Sequence, residues 1–171
     1  MSTTPRVGML MGSLSDKPVL EAAARILHEF GVPFEWRVLS AHRTPNEAHA
    51  YIGTAEERGI RVMICAAGMA AHLAGVTASG TILPVLGVPV NASLDGMDAL
   101  LATVQMPPGI PVATFGIGRA GAKNAALHAI QILALSDDGL RSALRAHRKA
   151  QAEKVLASSD ELQKTVAEIV G

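Results

Sequence analysis

His42 and Arg43 stand side by side in Ser40-Ala-His-Arg-Thr-Pro45. An imidazole transfers protons near neutral pH, and a guanidinium forks onto a phosphate or a carboxylate. Taken alone, the same residues also fit a solvated loop with a capping threonine. A second candidate is Gly12-Ser-Leu-Ser-Asp16, with the hydroxyls of Ser13 and Ser15 and a carboxylate just ahead of a helical pattern. Backbone N–H groups and the helix dipole make such a turn a natural phosphate cradle. Its plainer explanation is a helix cap by Ser15 or Asp16. A third candidate, Ala67-Gly-Met-Ala-Ala-His-Leu73, contributes Gly68, Ala70, His72 and Leu73. His28, His49, His128 and His147 fall inside helical patterns and are expected to be surface or packing residues. No histidine pair has metal-ligand spacing backed by a carboxylate, and Cys65 is the single cysteine, so no metal and no internal disulfide are expected.

These loops need elements to position them. Val7 to Met11 is an apolar run ending at Gly12, a first strand. Pro18 then sits where a first helical position costs no N–H, and Val19, Leu20, Ala23, Ile26, Leu27 and Phe30 recur at helical spacing until Gly31. The same alternation gives strands at Phe34–Leu39, Arg61–Ala66, Leu83–Val88 and Pro111–Phe115. Between them come helices from Pro45 to near Gly59, to about Ser79, from Gly96 to Thr103, and from about Ala122 to Leu135. Alternating short strands and helices imply right-handed βαβ crossovers and a three-layer α/β/α sandwich. Five strands favour the flavodoxin-like order 2-1-3-4-5, with ligands beyond the carboxyl ends of the strands at the switch between the first and third. Gly116-Ile-Gly-Arg-Ala-Gly121 fits a dinucleotide fingerprint. No strand follows its helix, however, so it reads as a tight strand-to-helix turn rather than a nicotinamide cofactor site. The expectation is one α/β domain over residues 1–171, with a sandwich core at 6–135 and extra C-terminal helices at 136–171. Those helices are predicted over Asp137–Leu156 and again after Ser158-Ser-Asp160.

The chain has 171 residues, 15 basic and 15 acidic, and 3% aromatic content. Neutral charge and few stacking rings argue against nucleic acid as a partner. The stretch from Val62 to Leu94 carries no charge, yet its glycines, prolines, His72 and Asn91 interrupt it too often for a membrane span. It reads instead as strands buried on both faces. From Val62 to Gly118 only Asp95 and Asp98 are charged, and so long a nearly uncharged stretch also predicts a subunit interface, placed around Met106 and Pro107-Pro108-Gly109. An ordinary Ala/Gly-rich core is the alternative. The segment Met1-Ser-Thr-Thr-Pro5-Arg6 lacks the layout of a secretory signal, so a cytoplasmic location is expected.

At its loops the sequence resembles the N5-carboxyaminoimidazole ribonucleotide mutases, the class I enzymes of bacterial purine biosynthesis. The resemblance is carried by Met11-Gly-Ser-Leu-Ser-Asp16, Ser40-Ala-His-Arg-Thr-Pro45, Ala70-Ala-His-Leu73, Pro84-Val-Leu-Gly-Val-Pro89 and Val104-Gln-Met-Pro107. Gly109-Ile-Pro-Val-Ala113 and Ala120-Gly-Ala-Lys-Asn-Ala-Ala126 extend it over roughly residues 6 to 135. It implies conversion of N5-carboxyaminoimidazole ribonucleotide into 4-carboxy-5-aminoimidazole ribonucleotide without metal or organic cofactor. It also implies a homo-octamer. The resemblance makes His42 the proton carrier and has Ser13, Asp16 and Arg43 hold the ribose phosphate, with Gly12 and Ser15 also on the substrate. Ser40 and the loop with Gly68, Ala70, His72 and Leu73 wall the pocket where CO2 waits.

One stretch departs from the family pattern. Gly-Ala-Gly-Gly-Ala-Ala-His-Leu-Pro-Gly is usual there, whereas this chain reads Ala66-Ala-Gly-Met-Ala-Ala-His-Leu-Ala-Gly75. If that glycine needs a positive φ, Met69 is strained. Related carboxylases that use CO2 directly typically read Ser-Ala-His-Lys-Thr and Gly-Arg-Ser-Asn. Arg43-Thr-Pro45 and Ala70-Ala-His72 therefore favour the mutase class. A direct carboxylase and a catalytically silent ribonucleotide-binding oligomer stand as the other two readings.

Overall fold

The computed structural model describes residues 4–171; residues 1–3, which begin the segment read above for a secretory signal, lie outside the described residues. The chain divides into two compact units, Met1–Leu133 and Ala134–Gly171. The first contains five strands, β1 (Val7–Met11), β2 (Phe34–Val38), β3 (Val62–Gly68), β4 (Val85–Val90) and β5 (Ala113–Thr114). They form one wholly parallel sheet in the order β2-β1-β3-β4-β5. The helices of this unit are α1 (Lys17–Glu29), α2 (Pro45–Gly53), α3 (Leu73–Ser79), α4 (Met97–Val104) and α5 (Gly118–Leu133).

Both faces of the sheet are covered, which is why β1 and β4 are buried along their whole length and read as unbroken apolar runs. On one side Leu10, Met63, Cys65 and Val85 meet Ile52, Ala55, Ile60, Leu73 and Ala74 from the α2 and α3 region. Elsewhere α1 and α5 pack against each other. Ala122, Ala125, Ala126 and Ala129 are fully buried at i, i+3, i+4, i+7 spacing, and their small side chains let the larger Leu20 and Leu27 of α1 fill the space. Among the described residues no helix is long and apolar enough to cross a membrane.

Several boundaries differ from the sequence expectation for local reasons. The second helix stops at Gly53 rather than near Gly59, because the Thr54 hydroxyl donates to Ala50 O (2.9 Å) and Gly59 turns the chain at φ 92°. β3 and β4 run two residues further, so that Ala67 and Gly68 pair with Pro89 and Val90. Pro89 is tolerated because β5 pairs only with Leu86 and Gly87, and its missing N–H falls beyond that ladder. β5 itself has two residues, with Pro111 just upstream unable to donate. α5 starts at Gly118, four residues early: Gly118 takes φ 75°, and a Cβ at Gly121 would lie 1.5 Å from Gly116 O. The 116–121 glycines therefore make a tight strand-to-helix turn.

In the second unit the two expected helices are one, α6 (Asp138–Val170), 33 residues long. The Asp137 carboxylate caps it by accepting from Leu140 N at 3.1 Å. Ser158-Ser-Asp160 does not interrupt it, because the Ser158 hydroxyl bonds back to Lys154 O at 3.0 Å, inside the helix. Leu140 is the one buried residue of α6.

Candidate active site

The carboxyl ends of β1, β2 and β3 lie side by side at the switch point, since Met11 pairs with both Val38 and Ala66. The loops leaving them enclose a cavity of about 370 Å³. Gly12, Ser13, Ser15 and Asp16 line it from the first loop, Ser40, His42 and Arg43 from the second, and Gly68, Ala70, His72 and Leu73 from the third. All eleven residues singled out in the sequence thus meet in one cleft. Ala41, Ala67, Met69 and Ala92 complete the wall. Ala92 carries no chemical signal of its own; only its place just after β4, next to β3, could have pointed to it.

The second loop is pinned at both ends. Ser40 N donates to Thr44 Oγ1 (2.8 Å), and the Thr44 hydroxyl and N–H both donate to Ser40 O (3.1 and 3.0 Å). Pro45 then starts α2 immediately. This closed ring of bonds holds the intervening His42 and Arg43 out towards the cleft. Arg43 ties two loops together: its Nη2 donates to Gly12 O at 2.7 Å, and its backbone N–H donates to Ser40 Oγ at 3.2 Å.

The first loop forms a hydroxyl and carboxylate chain. The Ser15 hydroxyl lies 2.9 Å from Ser13 Oγ and 3.3 Å from Asp16 Oδ1, and Ser13 Oγ accepts from Ser15 N at 3.3 Å. Ser13 caps the single 3-10 turn Leu14–Asp16, and Asp16, as one of the two expected cap residues, takes the N-cap position of α1. Asp16 stands at the start of α1 with no side-chain capping bond, so its carboxylate remains available to a ligand. Burial raises the Asp16 carboxyl above its usual range, opposed by the Ser15 hydrogen bond, the bond from Ser13 and the nearby Arg43 charge.

His42 Nε2 and His72 Nδ1 are 2.9 Å apart, with the rings edge to face at 5.0 Å between centroids. One of the two nitrogens must donate and the other accept, so each ring's proton position depends on the other's. Both imidazoles are exposed to the cleft. Sequence reading assigned His72 only to the pocket wall; the pairing was not legible, because thirty residues separate the two rings. Met69 has φ 53° and is 61% exposed. Cys65 is sealed in the core, its thiol pushed up to about 12 by burial, and takes no part. Among the described residues no group of three or more His, Cys, Asp or Glu is arranged to hold a metal ion.

An open, flavodoxin-like parallel sheet with an imidazole pair, a serine and carboxylate loop and a fixed guanidinium at its switch point is a ligand-binding α/β architecture. The chain belongs to the AIR carboxylase family, which it matches over residues 6–154. It is 54% identical over 159 residues to a protein of Bacillus subtilis named N5-carboxyaminoimidazole ribonucleotide mutase, covering 92% of this chain and 98% of that one. A protein of the same name from Mycobacterium leprae is 51% identical over 172 residues, covering 100% and 99%. Among solved structures, Treponema denticola PurE superposes with a TM-score of 0.83 at 28% identity, covering 92% of this chain and 98% of that chain.

Proposed function

We infer that this chain is an isomerase of purine biosynthesis, converting N5-carboxyaminoimidazole ribonucleotide into 4-carboxy-5-aminoimidazole ribonucleotide. The observation that carries the chemical part is the imidazole pair of His42 and His72, set in one cleft with Ser13, Asp16 and Arg43. The mutase names of the relatives point to the same substrate. Arg43 supplies a fixed cation for the ribose phosphate, and the helix start beside Ser13 adds N–H dipoles. Asp16, whose side chain makes no capping bond, accepts from the ribose or from the ring amine.

His42 then moves the protons. The carbamate N–C bond breaks, its electron pair goes to nitrogen, and His42 delivers a proton there, leaving CO2 beside aminoimidazole ribonucleotide. The electron-rich ring carbon C4 attacks CO2, and its proton returns to His42 as aromaticity is restored. One proton leaves the histidine and one comes back, so no outside acid or base is consumed. His72 sets which His42 nitrogen carries that proton. The reaction needs no redox partner, and these side chains account for its proton balance without a cofactor.

The same reading makes the enzyme cytoplasmic and homo-oligomeric, an octamer. Ile82 (91% exposed), with Leu101 and Val104, leaves apolar surface on the single chain, as an interface requires. Incubation with freshly prepared carbamate, against aminoimidazole ribonucleotide plus bicarbonate, tests the chemistry. Faster product formation from the carbamate is expected. Faster formation from the second mixture would make the chain a direct carboxylase, and inertness towards both would leave a binding protein.

A further inference from the structure

Peroxides attack sulfur more readily than most protein atoms, and the seven methionines and one cysteine of this chain differ widely in their access to solvent. Cys65 is sealed in the core, and burial pushes its thiol up to about 12, so the reactive thiolate is absent at neutral pH. Met9 and Met63 are fully buried and Met11 nearly so. Met106 is half-buried, its sulfur set so close to Gly75 that a Cβ there would lie 3.2 Å away. Met97 is 47% exposed, but it shares one face of α4 with Leu101 and Val104, the apolar surface that assembly is proposed to cover. Met69 differs from all of these. It is the most exposed methionine among the described residues, at 61%, and it lines a cleft that must stay open for ligands to enter.

The place of that sulfur gives its oxidation a consequence. The chain carries Met69 where the family pattern has glycine, so a modification there acts by what it adds rather than by what it removes. Around it Ala67, Gly68, Ala70 and Ala92 form an apolar stretch of wall. A sulfoxide sets a strongly accepting, partly negative oxygen on that stretch, in a cleft whose Arg43 guanidinium suits an anionic ligand. We propose that Met69 is an oxidation site through which hydrogen peroxide weakens ligand binding in the cleft. The Sδ lone pair takes one oxygen of the peroxide and the O–O bond breaks. The proton of the transferred hydroxyl goes to the departing hydroxide, so sulfur is oxidised to sulfoxide and the peroxide is reduced to water. The oxidation rests on exposure alone; its effect on the ribotide rests on the isomerase reading.

The test treats the full chain with hydrogen peroxide, maps the oxidised peptides by mass, and measures KM for freshly prepared carbamate before and after. The first oxygen is expected on Met69, ahead of Met97 and Met106, and KM should rise about three-fold or more as the sulfoxide accumulates. A methionine sulfoxide reductase with a dithiol should return KM to the untreated value. Met69→Leu keeps an apolar side chain without sulfur, so its KM after peroxide should match its own untreated value. First oxidation at another methionine overturns the proposal. So does complete oxidation of Met69 with KM unchanged, or an equal rise of KM in Met69→Leu. An untreated protein that forms no product from the carbamate overturns the isomerase reading and the ribotide effect with it, and the peptide map then upholds or overturns Met69 as the oxidised residue.

Discussion

Two residues of the cleft carry opposite consequences for stability and activity. Asp16 sits partly buried with its carboxyl raised by desolvation, so ionising it costs the folded state more than the unfolded one. A carboxyl raised in this way contributes stability that is fully present below its unfolded value and is lost as pH rises through its folded value. Asp16→Asn removes that loss. Its melting temperature relative to wild type should therefore climb between pH 4 and pH 7, while kcat/KM falls on the proposed substrate role of the carboxylate. Melting curves across that range check the sign; a gap that narrows with rising pH would refute it. His42 shows the reverse balance. It is exposed, and beyond the 2.9 Å contact to His72 it anchors little of the fold. His42→Asn keeps a polar side chain but removes the proposed proton carrier. A loss of about 10³-fold in kcat, with ribotide affinity nearly unchanged, is expected on the usual scale of general acid–base catalysis. Titration of the product ribotide and a single-turnover assay separate the two effects.

At the scale of elements, the switch-point cleft was legible because each of its loops follows a strand pattern, apolar at Val7–Met11 and Val62–Ala66 and alternating at Phe34–Val38, and precedes a helix-opening residue: Asp16-Lys-Pro18, Thr44-Pro45, His72-Leu73. Period and punctuation placed the strands to within about two residues. The sheet order 2-1-3-4-5 was reached the same way. Contacts that depend on distance in space were not legible. The His42–His72 bond, the Arg43 tie to Gly12 O and the place of Ala92 in the wall all join segments far apart in sequence. Nor could the pattern show that Ser158 would satisfy itself on Lys154 O, which turned two expected helices into one. The glycine turn before α5 shows how sharply packing can fix a residue. Gly121 has Gly116 O where its Cβ would be, a backbone atom that no rotamer change can move. Gly121→Ala must push the start of α5 away from the strand it follows, and α5 is packed on α1. A loss of roughly 3 kcal/mol or more is expected, at the severe end for a single methyl. Urea denaturation measures it, and a change below about 1 kcal/mol would mean that the turn can relax.

At the scale of the whole molecule, α6 is a helix that its own chain does not explain. Thirty-three residues extend about 50 Å, yet only Leu140 is buried along them. Val155, Leu162 and Ile169 recur at seven-residue intervals, with Val166 beside them, and all four are exposed. An apolar stripe of that length in water is stabilised most simply by burial against another copy of the chain. The uncharged stretch from Val62 to Leu94, with Ile82 at 91% exposure, makes the same demand on a different surface. If both surfaces serve one octamer, cutting the chain after Leu135 removes one set of contacts and leaves the other. Light scattering on the size-separated truncated protein should then find a mass below eight subunits, or soluble yield should fall as Ile82 and its apolar neighbours are left uncovered. A truncated protein that remains soluble at the subunit number of the full chain would instead assign assembly wholly to residues before Ser136. In that case the stripe on α6 would have to be covered by something other than its own oligomer.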